Sequence, residues 1–117
     1  MPQMKVHLSK SMSSADKLDM VKTLRGLMPQ IMGIDEKLGQ AMLYEADFRA
    51  NHESKDKNFV FIEITLYKGR SYEIKKKLAD AILDVVSRYT GVDKADINIV
   101  YYEMDPHEAY FGGSGLK

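Results

Sequence analysis

The sequence contains no cysteine, so disulfides, thiol chemistry and thiolate metal sites are excluded at the outset. Neither charge sign is in excess: 17 Lys and Arg balance 17 Asp and Glu, and no block of basic residues stands out. Nucleic-acid binding, which depends on cations set against phosphates, has no electrostatic support. No apolar run approaches the ~20 residues needed to cross a bilayer, and the opening Met-Pro-Gln-Met-Lys-Val-His lacks the apolar centre of a secretory signal. The expected compartment is the cytoplasm. At 117 residues the chain fits one domain, large enough for a core and small enough for oligomerisation to add useful burial.

What is present is a repeat. At an offset of 58 positions Leu66 falls on Leu8, Lys68 on Lys10, Ser71 on Ser13, Lys75 on Lys17, Gly91 on Gly33 and Asp93 on Asp35. Tyr102, Glu103 and Asp105 then fall on Tyr44, Glu45 and Asp47 without a gap. Apolar positions agree as well, among them Met20 with Leu78, Leu24 with Ile82 and Met28 with Val86. This is an ungapped internal duplication. It divides a single domain, 1–117, into a first unit over 1–47, a connector over 48–58, a second unit over 59–105 and a tail over 106–117.

Each unit reads as strand, helix, strand. In the first, Met4, Val6 and Leu8 alternate with Gln3, Lys5 and His7, the period of a half-buried strand. Ser13 followed by Asp16 is a helix-start signature. Leu18, Val21, Leu24, Leu27, Met28 and Ile31 then supply an apolar stripe, with Pro29 expected to bend or shorten the last turn and Gly33 to stop it. A weaker strand over 40–46 closes the unit. In the second, Val60–Tyr67 is a strand, Ser71 caps a helix from Tyr72 to about Tyr89, Gly91 stops it, and Ile97–Glu103 is β-branched and aromatic. The connector is polar, and its His52 and Glu53 lack the convergent partners a metal site needs.

Two such units, each with a right-handed crossover, make a four-stranded α+β sheet with both helices on one face. The other face then calls for a partner, which a chain of this size finds by oligomerising. Periodicity allows two architectures: a ferredoxin-like sheet forming a small-ligand-binding dimer, or a sheet that joins two others around a central barrel.

Three stretches carry a resemblance. Pro2 follows Met1 and directly precedes a strand; Ile64-Thr-Leu-Tyr-Lys-Gly-Arg-Ser71 leads into an amphipathic helix; and Ile99-Val-Tyr-Tyr-Glu-Met104 is followed by Gly112-Gly113. In this order within a duplication they resemble the tautomerase superfamily, the group of 4-oxalocrotonate tautomerase and macrophage migration inhibitory factor, and the chain looks like a fused two-copy member. The resemblance implies a homotrimer and a cofactor-independent isomerase, with no metal, that moves a proton on a small carboxylate-bearing 2-oxo acid or its enol.

By the same resemblance the catalytic residues are Pro2, whose nitrogen is the general base once Met1 is removed, and Arg70, which anchors the substrate carboxylate. An α-amino group titrates near about 8, and burial or nearby cations bring it toward neutrality, which suits proton abstraction next to a carbonyl. With Met1 in place the Pro2 nitrogen is an amide without basicity. The first copy has Met12 where the second has Arg70, as a fused protein with one working site would. By the resemblance Asn98 stands where 4-oxalocrotonate tautomerase carries its second arginine, so carbonyl polarisation falls to a neutral amide or to another group, with Lys68, Lys10 and His7 as substitutes. Phe111, or its neighbour Tyr110, is the aromatic residue expected to shape the pocket. A catalytically silent trimer of the same fold is the alternative reading.

Overall fold

The computed structural model describes residues 1–52 and 57–112; Glu53 of the connector and Gly113 of the tail lie outside the described residues. The elements are β1 (Gln3–Leu8), α1 (Ser14–Met32), β2 (Gln40–Glu45), β3 (Val60–Tyr67), α2 (Tyr72–Thr90) and β4 (Ile97–Met104), with short helical turns at Lys94–Asp96 and Pro106–Glu108. The strands form one sheet in the order β2-β1-β3-β4. β1 pairs in parallel with β2, β3 pairs in parallel with β4, and β1 meets β3 antiparallel. The two strands of each unit are therefore neighbours. In a ferredoxin-like sheet the crossover skips a strand, the split arrangement, so that alternative is set aside.

Side chains alternate across the sheet. Met4, Val6 and Leu8 of β1 and Val60, Ile62, Ile64 and Leu66 of β3 are buried beneath the helices. α1 contributes Met20, Leu24, Met28 and Met32, and α2 contributes Leu78, Ile82, Val85 and Val86. The stripe expected on α1 is therefore displaced. Leu18 is 57% exposed, because two residues turn a helix by about 200° and place it opposite Met20. Nor does Pro29 end the helix; α1 continues to Met32, and the Pro29 carbonyl accepts the Gly33 N–H in the closing turn.

The repeat is visible in the bonds. Ser13 Oγ accepts from Asp16 N and Ser71 Oγ from Ile74 N, capping the two helices at equivalent positions. Gly33 (φ 68°) and Gly91 (φ 73°) close them in the left-handed conformation that glycine takes without strain. Lys17 pairs with Glu45 and Lys75 with Glu103, so both repeated lysine–glutamate couples tie a helix to the second strand of its own unit. Tyr101 adds a further tie, its hydroxyl donating to the Lys75 carbonyl at 2.6 Å. Burial, with a smaller contribution from Asp80, pushes its pKa up to about 12.

Among the described residues no helix covers the opposite sheet face. Its rows across β2-β1-β3-β4 read Gln40-Gln3-Thr65-Tyr102, Met42-Lys5-Glu63-Val100 and Tyr44-His7-Phe61-Asn98. His7 is held in the third row between the rings of Tyr44 and Phe61, with centroids at 5.2 and 5.7 Å, and its Nε2 lies 3.1 Å from Glu63 Oε1.

Candidate functional site

Pro2 enters the sheet immediately before β1. It is buried, and its carbonyl accepts the Gln40 N–H at 3.1 Å, so the first residues of the chain are pinned between β2 and β3 rather than left as a loose end. Gln3 pairs with Thr65; carried outward, the antiparallel register sets Pro2 opposite Leu66 and Met1 opposite Tyr67. β3 ends at Tyr67. The chain then turns through Lys68, Gly69 and Arg70 into the Ser71 cap, and Gly69 takes a φ of 116° that a side chain would resist. This tight turn brings Arg70 back toward the start of the chain.

Electrostatics record that approach. The terminal amine is held below its ordinary value of 8.0, first by burial and second by the Arg70 guanidinium. Arg70 is half-buried and, among the described residues, has no carboxylate or hydrogen-bond partner. A cation in that position is available to an anion. Two further polar atoms share this end of β3: Thr65 Oγ1 and the Tyr67 hydroxyl are buried, and neither has a partner among the described residues.

The remaining expected site residues are distributed differently. Lys68 is exposed and turned toward the end of β4, with Nζ 3.6 Å from Asp105 Oδ1. Asn98 is exposed on the open face and pairs with Phe61, five residues along β3 from Leu66 and so about 16 Å from Pro2 along the strand. Within one chain it does not join Pro2 and Arg70. Of the tail aromatics, Phe111 is half-buried whereas Tyr110 is 93% exposed. Lys10 donates to the Thr90 carbonyl at the end of α2, and His7 is engaged by Glu63, so neither substitute stands free beside Pro2. His52 is exposed, and among the described residues no three His, Asp or Glu side chains gather in a metal-binding group.

A cavity of about 730 Å³ lies elsewhere, at the end of α1 between Arg25, Pro29, Ile34 and Lys37. There Arg25 is already committed to the carbonyls of Glu36, Leu38 and Gly39. The chemistry therefore points to the Pro2 end of the sheet and not to this hollow.

Residues 30–112 match the family model described as tautomerase enzyme, a span that takes in β2, the whole second unit and the Arg70 turn. The chain belongs to the tautomerase family. A probable tautomerase of Streptococcus agalactiae is 37% identical over 57 residues, covering 49% of this chain and 93% of that one, so this relative is about half as long. A probable tautomerase of Staphylococcus aureus is 32% identical over 56 residues, 48% of this chain and 88% of the relative. Among solved structures, a fused 4-OT symmetric trimer superposes with a TM-score of 0.81 at 24% identity, covering 97% of this chain and 92% of that chain. Macrophage migration inhibitory factor of Toxoplasma gondii gives a TM-score of 0.84 at 16% identity, covering 94% and 96%. These two similarities establish the tautomerase fold.

Within the tautomerase family the sequence had marked Pro2 and Arg70 but not Tyr67 or Thr65. Their signal was present in the alternation of β3: Phe61, Glu63, Thr65 and Tyr67 all face away from the helices, and two of the four carry hydroxyls next to the arginine turn.

Proposed function

We propose that this protein is a cofactor-independent tautomerase acting as a homotrimer on a small 2-oxo acid or its enol. Removal of Met1 exposes the Pro2 nitrogen as a secondary amine. That amine takes a proton from the carbon next to the substrate carbonyl and returns a proton at the other end of the enol. Arg70 holds the carboxylate by a charge-assisted hydrogen bond and offsets the charge that develops on the enolate.

The observation that carries this reading is the pairing of a pinned, partly buried chain start with an arginine that, among the described residues, has no acid of its own. Burial and the Arg70 charge both disfavour the protonated amine. A Pro2 amine exposed by loss of Met1 would lie next to the same burial and the same Arg70 charge, both of which act in the direction a general base requires. The open sheet face is where two further copies would pack, and it offers Asn98 of an adjacent copy a route to a site that it cannot reach within its own chain.

The test uses the untagged protein. Intact mass reports whether Met1 has been removed. The neighbour Pt0534 is described as inactivated by 2-oxo-3-pentynoate, an electrophilic 2-oxo acid. Incubation of this protein with it should add one molecule of the acid per chain at Pro2, protecting against turnover of the enol of phenylpyruvate. Pro2→Ala should abolish that turnover, and Arg70→Ala should raise KM by about 10- to 100-fold, the loss of one charge-assisted contact. Retained Met1, or equal turnover in the wild type and Pro2→Ala, would leave a family member without proline chemistry.

A further inference from the structure

The family site needs a group to polarise the substrate carbonyl, and the structure of one chain offers neither Asn98 nor a second arginine beside Pro2. It offers Tyr67. We infer that the Tyr67 hydroxyl donates the hydrogen bond that stabilises the enolate oxygen of the substrate. This rests on the reading of Pro2 as base and Arg70 as carboxylate anchor.

Three observations converge on the hydroxyl. First, it is buried and unpartnered among the described residues, as is Thr65 Oγ1 two residues earlier on the same face. A buried hydroxyl left without a partner costs about 1–3 kcal/mol, so a native fold keeps one only where something else completes it. Second, the strand register sets Tyr67 opposite Met1, so removal of Met1 vacates the position across from it and leaves the Pro2 amine as its neighbour. Third, the turn Lys68–Arg70 places a guanidinium that is unpaired among the described residues three residues away at the same end of β3. A planar 2-oxo acid carries its carboxylate and its carbonyl on adjacent carbons. A cation and a neutral donor at one strand end match that pair of oxygens, with the base across the register from them.

A phenol suits the role. It donates without carrying charge, so it adds little to ground-state binding and gains most when negative charge reaches the oxygen. No proton leaves Tyr67 in this step; the proton moves between substrate carbon and Pro2. Asn98 stands where 4-oxalocrotonate tautomerase has an arginine; within one chain the donor at the Pro2 end of the sheet is Tyr67 of β3, and an Asn98 from an adjacent copy would act beside it.

The experiment compares wild type, Tyr67→Phe and Arg70→Ala, which differ from one another in a hydroxyl and a charge. With the enol of phenylpyruvate, Tyr67→Phe should lose about 10- to 100-fold in kcat with KM within about twofold, the effect of removing one oxyanion donor from an otherwise complete site. The acid limb of its pH profile should stay in place. Binding of oxalate, which presents a carboxylate and an adjacent anionic oxygen, should weaken about tenfold, while binding of propionate, which lacks the second oxygen, should not change. Oxalate discrimination without wild-type turnover would retain the Tyr67 contact and remove the tautomerase reading. Pro2-dependent turnover with an unaltered Tyr67→Phe would do the reverse. A Tyr67→Phe protein that changes its oligomeric mass but not its oxalate affinity would overturn the inference, because the hydroxyl would then belong to a subunit contact. Failure of the wild type to bind oxalate at all would overturn it as well.

Discussion

Val100→Glu tests the proposed homotrimer. Met42, Tyr44, Val100 and Tyr102 all lie on the sheet face away from the helices, and each is between 37% and 51% exposed in the single chain, whereas Met4, Val6, Ile62 and Ile64, beneath the helices, are at or below 1%. Val100 sits beside Glu63, whose carboxylate is occupied by His7, so a carboxylate at position 100 gains no free cation from its β3 neighbour. In an isolated chain the substitution is harmless, since the side chain reaches water. In a trimer that closes this face it buries three uncompensated charges. An effective cost of about 3 kcal/mol a copy amounts to about 9 kcal/mol for the trimer, or about six powers of ten in association. Sedimentation velocity at micromolar concentration should give three chains for wild type and Val100→Ala and one for Val100→Glu, with circular dichroism unchanged. A Val100→Glu protein with the wild-type mass would refute the argument that this face is covered by further copies.

The terminal amine gives a second expectation. In protein that retains Met1 this amine lies below 8.0 first by burial and second because of Arg70, so Arg70→Ala should move its titration to higher pH, read as a shift in the pH dependence of amine acylation or in an NMR titration. An unmoved midpoint would place Arg70 out of electrostatic reach. Ser71→Ala should cost about 1 kcal/mol in chemical denaturation, because Ile74 N loses its capping partner at the start of the helix that follows the arginine turn. A loss below about 0.3 kcal/mol would mean that solvent substitutes fully for the cap.

Sequence alone was enough for the secondary structure because the signals there are local. Alternation in β1 and β3, the serines that cap each helix and the glycines that close it are written within a few residues of where they act. The duplication was legible for the same reason: a repeated chain carries repeated caps and repeated lysine–glutamate ties. The arginine turn could be singled out because Gly69 and Ser71 frame it, one permitting the left-handed bend and the other starting α2. The phase of the α1 stripe was less legible, since four methionines and leucines at a spacing of four compete with leucines on other faces, and only contact with the sheet selects Met20, Leu24, Met28 and Met32.

The tertiary structure decided which of these residues meet. Strand order follows from how two units pair, through β1 against β3, and that pairing is a long-range choice that no window of sequence contains. It brings the chain start to the arginine turn of the other unit. The same pairing removes Lys10 and His7 as candidates, because a helix end and a carboxylate claim them first, and holds Asn98 about 16 Å along the strand from Pro2. It also leaves the hydroxyl of Tyr67 buried without a partner among the described residues. Sequence determines which side chains can donate, accept or carry charge. Whether a donor is already satisfied depends on what the fold packs around it.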